Sequence, residues 1–245
     1  CKIPYFRELL EACGKEGLKP DFVSWNNYNQ NPNDIFDRGR DMRRMLDEMG
    51  CSKTEIVLSE WHYLVSWTGV HGKDATPEQV RAALNGPSGI NQIDSACYAL
   101  TVLTRLQFSE FDQAYYYGCS PRGSWGYLNE DKSFNRPYHA LCAFGGIVGD
   151  HTVLCEATSG RKSVTVLAAR SADGARKTRL VPDYRGADTS LDVAVKGVPA
   201  DAKARVKRLD QGHLDWQEVP SVWDGGTLRL EKNAPGSTAF LVCFR

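Results

Sequence analysis

The hydrophobic pattern changes its period near residue 150, and one regular layer cannot accommodate what lies on both sides of that change. Before it, apolar stripes at helical spacing alternate with short apolar runs. Ile3, Phe6, Leu10 and Cys13 trace one helical face, ended by Gly14 and Gly17. Asp21–Trp25 reads as a strand. Asp34–Met49 reads as a helix with Ile35, Met42, Met45, Leu46 and Met49 on its apolar stripe. Ile56–Leu58 begins a second strand that continues into Ser59-Glu60-Trp61-His62-Tyr63. Within the long connection of residues 64–90, Thr76-Pro77-Glu78-Gln79 is a capping box with proline at the first helical position, so a short helix starts there. A longer helix follows from about Asn91 to Gln107, with Ile93, Cys97, Leu100 and Leu103 facing inward. Gln113–Tyr117 is the next strand, and Arg136-Pro137 opens a last helix through Phe144.

Strand and helix that alternate in this way specify a parallel sheet with helical crossovers. Three strands cannot bury themselves, either as a closed barrel or as an open sheet. From about Asp150 the runs become short and alternating, among them Ser163–Ala168, Thr178–Val181, Leu191–Val195, Ala204–Arg208 and Ala239–Phe244. Gly, Pro, Asp and Asn punctuate them at the spacing of a β-sandwich. The last run alternates poorly, which predicts a central strand. The chain therefore divides into an α/β part, residues 1–149, and an all-β part, residues 150–245.

Charge and cysteine usage remove several functions. The 30 Lys+Arg balance 30 Asp+Glu, so there is no net field to draw the chain to nucleic acid or an anionic membrane surface. No apolar run approaches the roughly 18 residues of a spanning helix. The eight cysteines are scattered, none in Cys-x-x-Cys spacing, and no metal site is expected. The sequence contains no Gly-x-Ser-x-Gly elbow, phosphate-binding loop or His-Glu-x-x-His motif, and no cofactor is expected. The chain opens on Cys1 rather than Met, which predicts that it is cut from something longer.

The sharpest chemical feature is Ser59-Glu60-Trp61, a carboxylate at the C-terminal end of a parallel strand, with an indole beside it. That end of a parallel barrel is where active sites are built. The preceding strand ends Trp25-Asn26-Asn27-Tyr28 on the same face, so Tyr28 or an Asn can bond Glu60; the other reading makes the asparagines turn residues. Tyr115, Tyr116 and Tyr117 close the third strand, only alternate members pointing inward, and Trp125 follows in a loop. His62 adjoins the site, whereas His71, His139, His151 and His213 stand apart.

Asp21–Tyr28, Glu55–Trp61 and Tyr115–Tyr117 resemble the sixth, seventh and eighth strands of clan A glycoside hydrolases, and look closest to family 39, the β-xylosidase and α-L-iduronidase group. Trp125–Asp131 with Arg136–Leu141 is similar to that family's link from last strand to last helix. The resemblance implies a partial (β/α)8 TIM barrel followed by a β-sandwich, a glycoside or oligosaccharide substrate, and a β-xylosidase-like retaining mechanism. Glu60 matches the nucleophile and Tyr28 the tyrosine that hydrogen-bonds it. Trp25, Trp61 and Trp125 become sugar-stacking candidates, and Asn26, Asn27, His62 and Tyr117 further substrate contacts. The family usually carries a His near Asn26 or Asn27, and here both positions are Asn. Its general acid, a Glu after Asn on the fourth strand, precedes the point where this chain begins. On this reading the chain alone is a poor or inactive enzyme, completed by the missing N-terminal barrel half. The resemblance favours a secreted or periplasmic protein. The alternatives are a non-catalytic carbohydrate-binding or scaffolding protein, or a half-protein completed by another chain.

Overall fold

The computed structural model describes residues 3–67, 70, 74–118, 120–121, 125–151 and 153–244. They belong to two compact units, one of Cys1–Val65 with Arg105–Cys119, the other of Ser66–Thr104 with Ser120–Arg245.

The first unit holds a three-stranded parallel sheet in the order β1 (Phe22–Asn29), β2 (Glu55–Tyr63), β3 (Gln113–Tyr116). Helix α1 (Ile3–Lys15) precedes β1, and α2 (Asn33–Glu48) joins β1 to β2. The α2 stripe expected from the sequence is buried at Ile35, Met42, Met45 and Leu46. Two further positions on that helix, Phe36 and Gly39, are buried as well. A Cβ on Gly39 would lie 2.7 Å from the Phe111 ring, so glycine is what lets this helix approach that ring. Phe111 packs in turn on Trp25 and Phe36, with centroids 5.4 and 6.5 Å away. Helix α2 stops where Gly50 turns left-handed (φ 71°) and Cys51 N–H reaches back to Leu46 C=O.

The second unit has two antiparallel sheets. The larger runs β4 (Val153–Cys155), β5 (Leu167–Arg170), β6 (Lys177–Gly186), β12 (Gly236–Phe244), β8 (Ala204–Leu209), β9 (Gln217–Val219). The smaller runs β10 (Val222–Trp223), β11 (Thr227–Glu231), β7 (Ser190–Ala194). Between them lies a core that includes Val164, Val181, Leu191, Leu228, Leu230, Phe240 and Val242. The other face of the large sheet, through Leu167, Ala169, Leu180, Leu209 and Ala239, shares a second core with Ile93, Cys97, Leu100, Ala140 and Ile147. Those last five residues lie on α4 (Ile93–Leu106) and α5 (Arg136–Asp150), which follow the short α3 (Pro77–Asn85) with its capping box at Thr76. Strand β12 sits between β6 and β8 and is buried on both faces, which is why its sequence does not alternate. The helices of residues 93–104 and 136–150, read from the sequence as part of the α/β half, thus lie in the unit of the sandwich.

Buried polar groups fasten this unit. Arg136 donates to the carbonyls of Asp210, Gln211 and His213 and to Gln92 Oε1, tying the start of α5 to the turn after β8. Lys232 Nζ, fully buried, gives its protons to Asp183 Oδ2 (2.6 Å), Gly186 O (3.1 Å) and Gly236 O (2.7 Å). The six described cysteines are free, and Cys1, Cys119 and His71 lie outside the described residues.

Candidate active site

Strand β2 contains one residue more than its neighbours require. Trp25 pairs with Leu58 on β1, but the next residue, Asn26, pairs with Glu60, and β3 shows the same break between Leu58 and Trp61. Ser59 is thus the extra residue of a β-bulge. Side chains alternate along a strand, so in an unbroken register Glu60 would share the face of Leu58 and Trp25, which are buried. The bulge turns Glu60 to the face of Asn26 and Tyr28 instead.

There the carboxylate is held from one side. Glu60 Oε2 accepts from Tyr28 OH at 2.6 Å and from Asn26 Nδ2 at 2.9 Å. Ser59 OH donates to Asn26 Oδ1 at 2.8 Å, which fixes the orientation of the Asn26 amide. Burial, and then the hydrogen bond to Glu60, hold the Tyr28 phenol far above its ordinary range, so it remains a proton donor at any working pH. Among the described residues both hydrogen bonds of the carboxylate fall on Oε2. Oε1 accepts none from the described residues. Tyr117 stands edge-on to Tyr28 with centroids 5.7 Å apart and extends the aromatic rim.

The other expected contacts are placed differently. Trp25 is turned to the helices and packs on Phe111 and Phe6, so it offers no free ring to a sugar. Trp61 is 1% exposed and meets Tyr116 edge-on at 4.9 Å. Asn27 is buried with its Nδ2 unpaired among the described residues. His62 is buried too, its Nδ1 2.8 Å from Tyr63 O and its Nε2 2.6 Å from Tyr116 OH. A carbonyl only accepts, so Nδ1 carries the proton and Nε2 accepts from Tyr116. Burial pulls the His62 pKa down to about 4, which keeps this ring neutral. Trp125 belongs to the second unit, where it is buried beside Trp67 at 6.4 Å. Asn29 and Asn31 do serve as turn residues, their side chains accepting from the N–H two positions on.

Sequence reasoning missed two members of the site. Ser59 was visible only as the neighbour of Glu60, and Tyr116 only as the middle of three tyrosines. Its partnership with His62 carries no local signal.

No family model matches this sequence, and no curated protein matches it. Solved structures do match. A glucosidase from Croceicoccus marinus is 19% identical with a TM-score of 0.67, over 98% of this chain and 57% of that one. The GH51 α-L-arabinofuranosidase of Thermotoga petrophila RKU-1 is 13% identical with a TM-score of 0.65, over 92% and 53%. A Paenibacillus polymyxa xyloglucanase from glycoside hydrolase family 44 is 11% identical with a TM-score of 0.61, over 98% and 50%. The likeness is one of fold. The chain has the fold found in these glycoside hydrolase structures and spans 50–57% of their length. Among the described residues no group of three His, Cys, Asp or Glu side chains is arranged to hold a metal ion.

Proposed function

We propose that this chain carries the nucleophile side of a retaining glycoside hydrolase site, with Glu60 as nucleophile and a β-xylosidase-like specificity of the family 39 kind. The observation that carries the reading is the bulged strand that delivers Glu60, with Oε2 engaged by Tyr28 and Asn26 and Oε1 left open. In the first step Oε1 attacks the anomeric carbon; the C1–O bond to the leaving group breaks, its electron pair leaves with that oxygen, and a glycosyl-enzyme ester forms. Tyr28 and Asn26 position the carboxylate and stabilise the charge left on it when the ester later opens. A retaining pair needs a second carboxyl about 5–5.5 Å away as general acid. In this reading that group comes from a barrel strand other than these three. Turnover by the chain alone is then slower by about 10²–10⁴-fold than with the acid present.

The test uses a substrate that barely needs the acid. Incubation with a 2-deoxy-2-fluoro-β-xyloside bearing a dinitrophenolate leaving group is expected to add one fluoroxylosyl residue, located on Glu60 by peptide mass spectrometry. Label at another residue, or label that persists in Glu60→Ala, overturns the assignment. A chain that binds xylo-oligosaccharide equally well as Glu60→Gln and is never labelled is a binding protein instead.

A further inference from the structure

The bulge in β2 sets two residues, Ser59 and Glu60, against one residue on each neighbouring strand. On β1 that residue is Asn26, which holds Oε2. On β3 it is Tyr115, which lies between Ala114, the partner of Leu58, and Tyr116, the partner of Trp61. Leu58 and Trp61 are buried, so alternation turns Tyr115 to the other face of the sheet, where Glu60 stands. Tyr117, two residues on, shares that face and meets Tyr28 edge-on.

Tyr115 is 54% exposed, yet its phenol is tethered. The OH donates to Gln113 Oε1 at 2.5 Å, and Gln113 Nε2 donates to Glu55 Oε2 at 3.2 Å. An ionised carboxylate only accepts, so Glu55 fixes which way the Gln113 amide points, and the amide oxygen then takes the phenol proton. Gln113 lies two residues nearer the start of β3, so the phenol leans back along the strand. Its hydroxyl is drawn away from the strand end, and ring carbons are what Tyr115 sets beside Glu60.

Ring and carboxylate then address one face of a sugar. A retaining nucleophile attacks the face opposite the leaving group. In a β-xylopyranoside, with every hydroxyl equatorial, that face bears only the axial hydrogens of C1, C3 and C5. Such an apolar patch suits an aromatic ring. An axial hydroxyl at C3 would press an oxygen on the same ring, where the phenol proton is already bonded to Gln113, and a desolvated hydroxyl without a partner is costly. Resting on the assignment of Glu60 as nucleophile, we propose that Tyr115 is the floor of the sugar subsite and selects pyranosides with an equatorial C3 hydroxyl, Gln113 and Glu55 being the positioning residues that hold its ring.

The test compares two probes on the whole chain, the dinitrophenyl 2-deoxy-2-fluoro-β-xylopyranoside and its C3 epimer, the ribopyranoside. Labelling of Glu60 is followed by mass spectrometry over a range of probe concentrations. The xylosyl probe is expected to label the parent about tenfold more efficiently than the ribosyl one. Tyr115→Ala should weaken apparent binding of the xylosyl probe about tenfold and bring the two probes level, with the maximal rate changed far less. Gln113→Leu keeps the ring but frees the phenol to meet an axial hydroxyl, so the preference should fall; adding Tyr115→Phe in that background should restore it. A residue that served folding alone would not move this ratio and recover it. Label on Glu60 without preference between the probes, or a preference that survives Tyr115→Ala, overturns the floor and leaves the nucleophile standing. Failure of both probes to label Glu60 in the parent overturns the nucleophile, and the floor with it.

Discussion

Among the described residues Glu60 Oε2 takes both of the carboxylate's hydrogen bonds, so Tyr28 and Asn26 share one task. A hydrogen bond to a charged group contributes about 1.5–3 kcal/mol, so Tyr28→Phe is expected to slow fluoroglycoside labelling about 10–100-fold. Because the ring and its packing on Tyr117 remain, the melting temperature should hardly move; an unchanged labelling rate would deny the phenol its positioning role. His62 supplies a pH test. Unfolded, its imidazole takes a proton near pH 6.5; folded, only near pH 4. The unfolded chain binds more protons across that window, so its stabilising effect is full above pH 6.5 and is lost as pH falls towards 4, by on the order of 3 kcal/mol. Urea midpoints at pH 7 and pH 4.5 should therefore differ less in His62→Gln than in the parent; equal differences would refute this. At this scale the hydrogen bond from Tyr28 to Glu60 was legible because the two residue types and their strand-end positions carry the information. The burial of Trp25 and His62 was not legible, because an indole or imidazole at a strand end looks the same in sequence whether it faces a cleft or a helix.

The bulge in β2 is the feature of an element, not of any one side chain. Deleting Ser59 should restore the simple register, rotate Glu60 to the helix-facing side and abolish labelling. Ser59→Ala, which loses only the hydrogen bond to Asn26, should keep labelling within about tenfold of the parent. Equal labelling by both variants would mean that register does not aim the carboxylate. The run Ile56-Val57-Leu58 before Ser59 hides the bulge from sequence, because three apolar residues in succession give no phase from which a slip can be read. By contrast the capping box at Thr76 and the Asn135 cap of α5 are local hydrogen-bond devices; the first was read directly from residue order.

At the scale of the molecule, the change of period at residue 150 marks where helices stop, not where a compact body begins. A stripe at helical spacing says that a helix has something to cover; it does not say which sheet. Helices α4 and α5 cover the large antiparallel sheet through Ile93, Cys97, Leu100, Ala140 and Ile147. A fragment of residues 150–245 is therefore expected to expose that sheet's second face, bind a hydrophobic dye and melt without a cooperative transition, whereas residues 75–245 should melt cooperatively. A cooperative melt of the shorter fragment would show that the helices are dispensable. The second core has a consequence for ancestry. A β-sandwich that travels between proteins as a module must arrive with both faces of its sheets closed, and this one does so only when the two helices upstream of it come along. A cut ahead of the α4 segment keeps both helices with the sandwich but also carries β3 away from β2, so no single cut in the chain parts the two compact units cleanly.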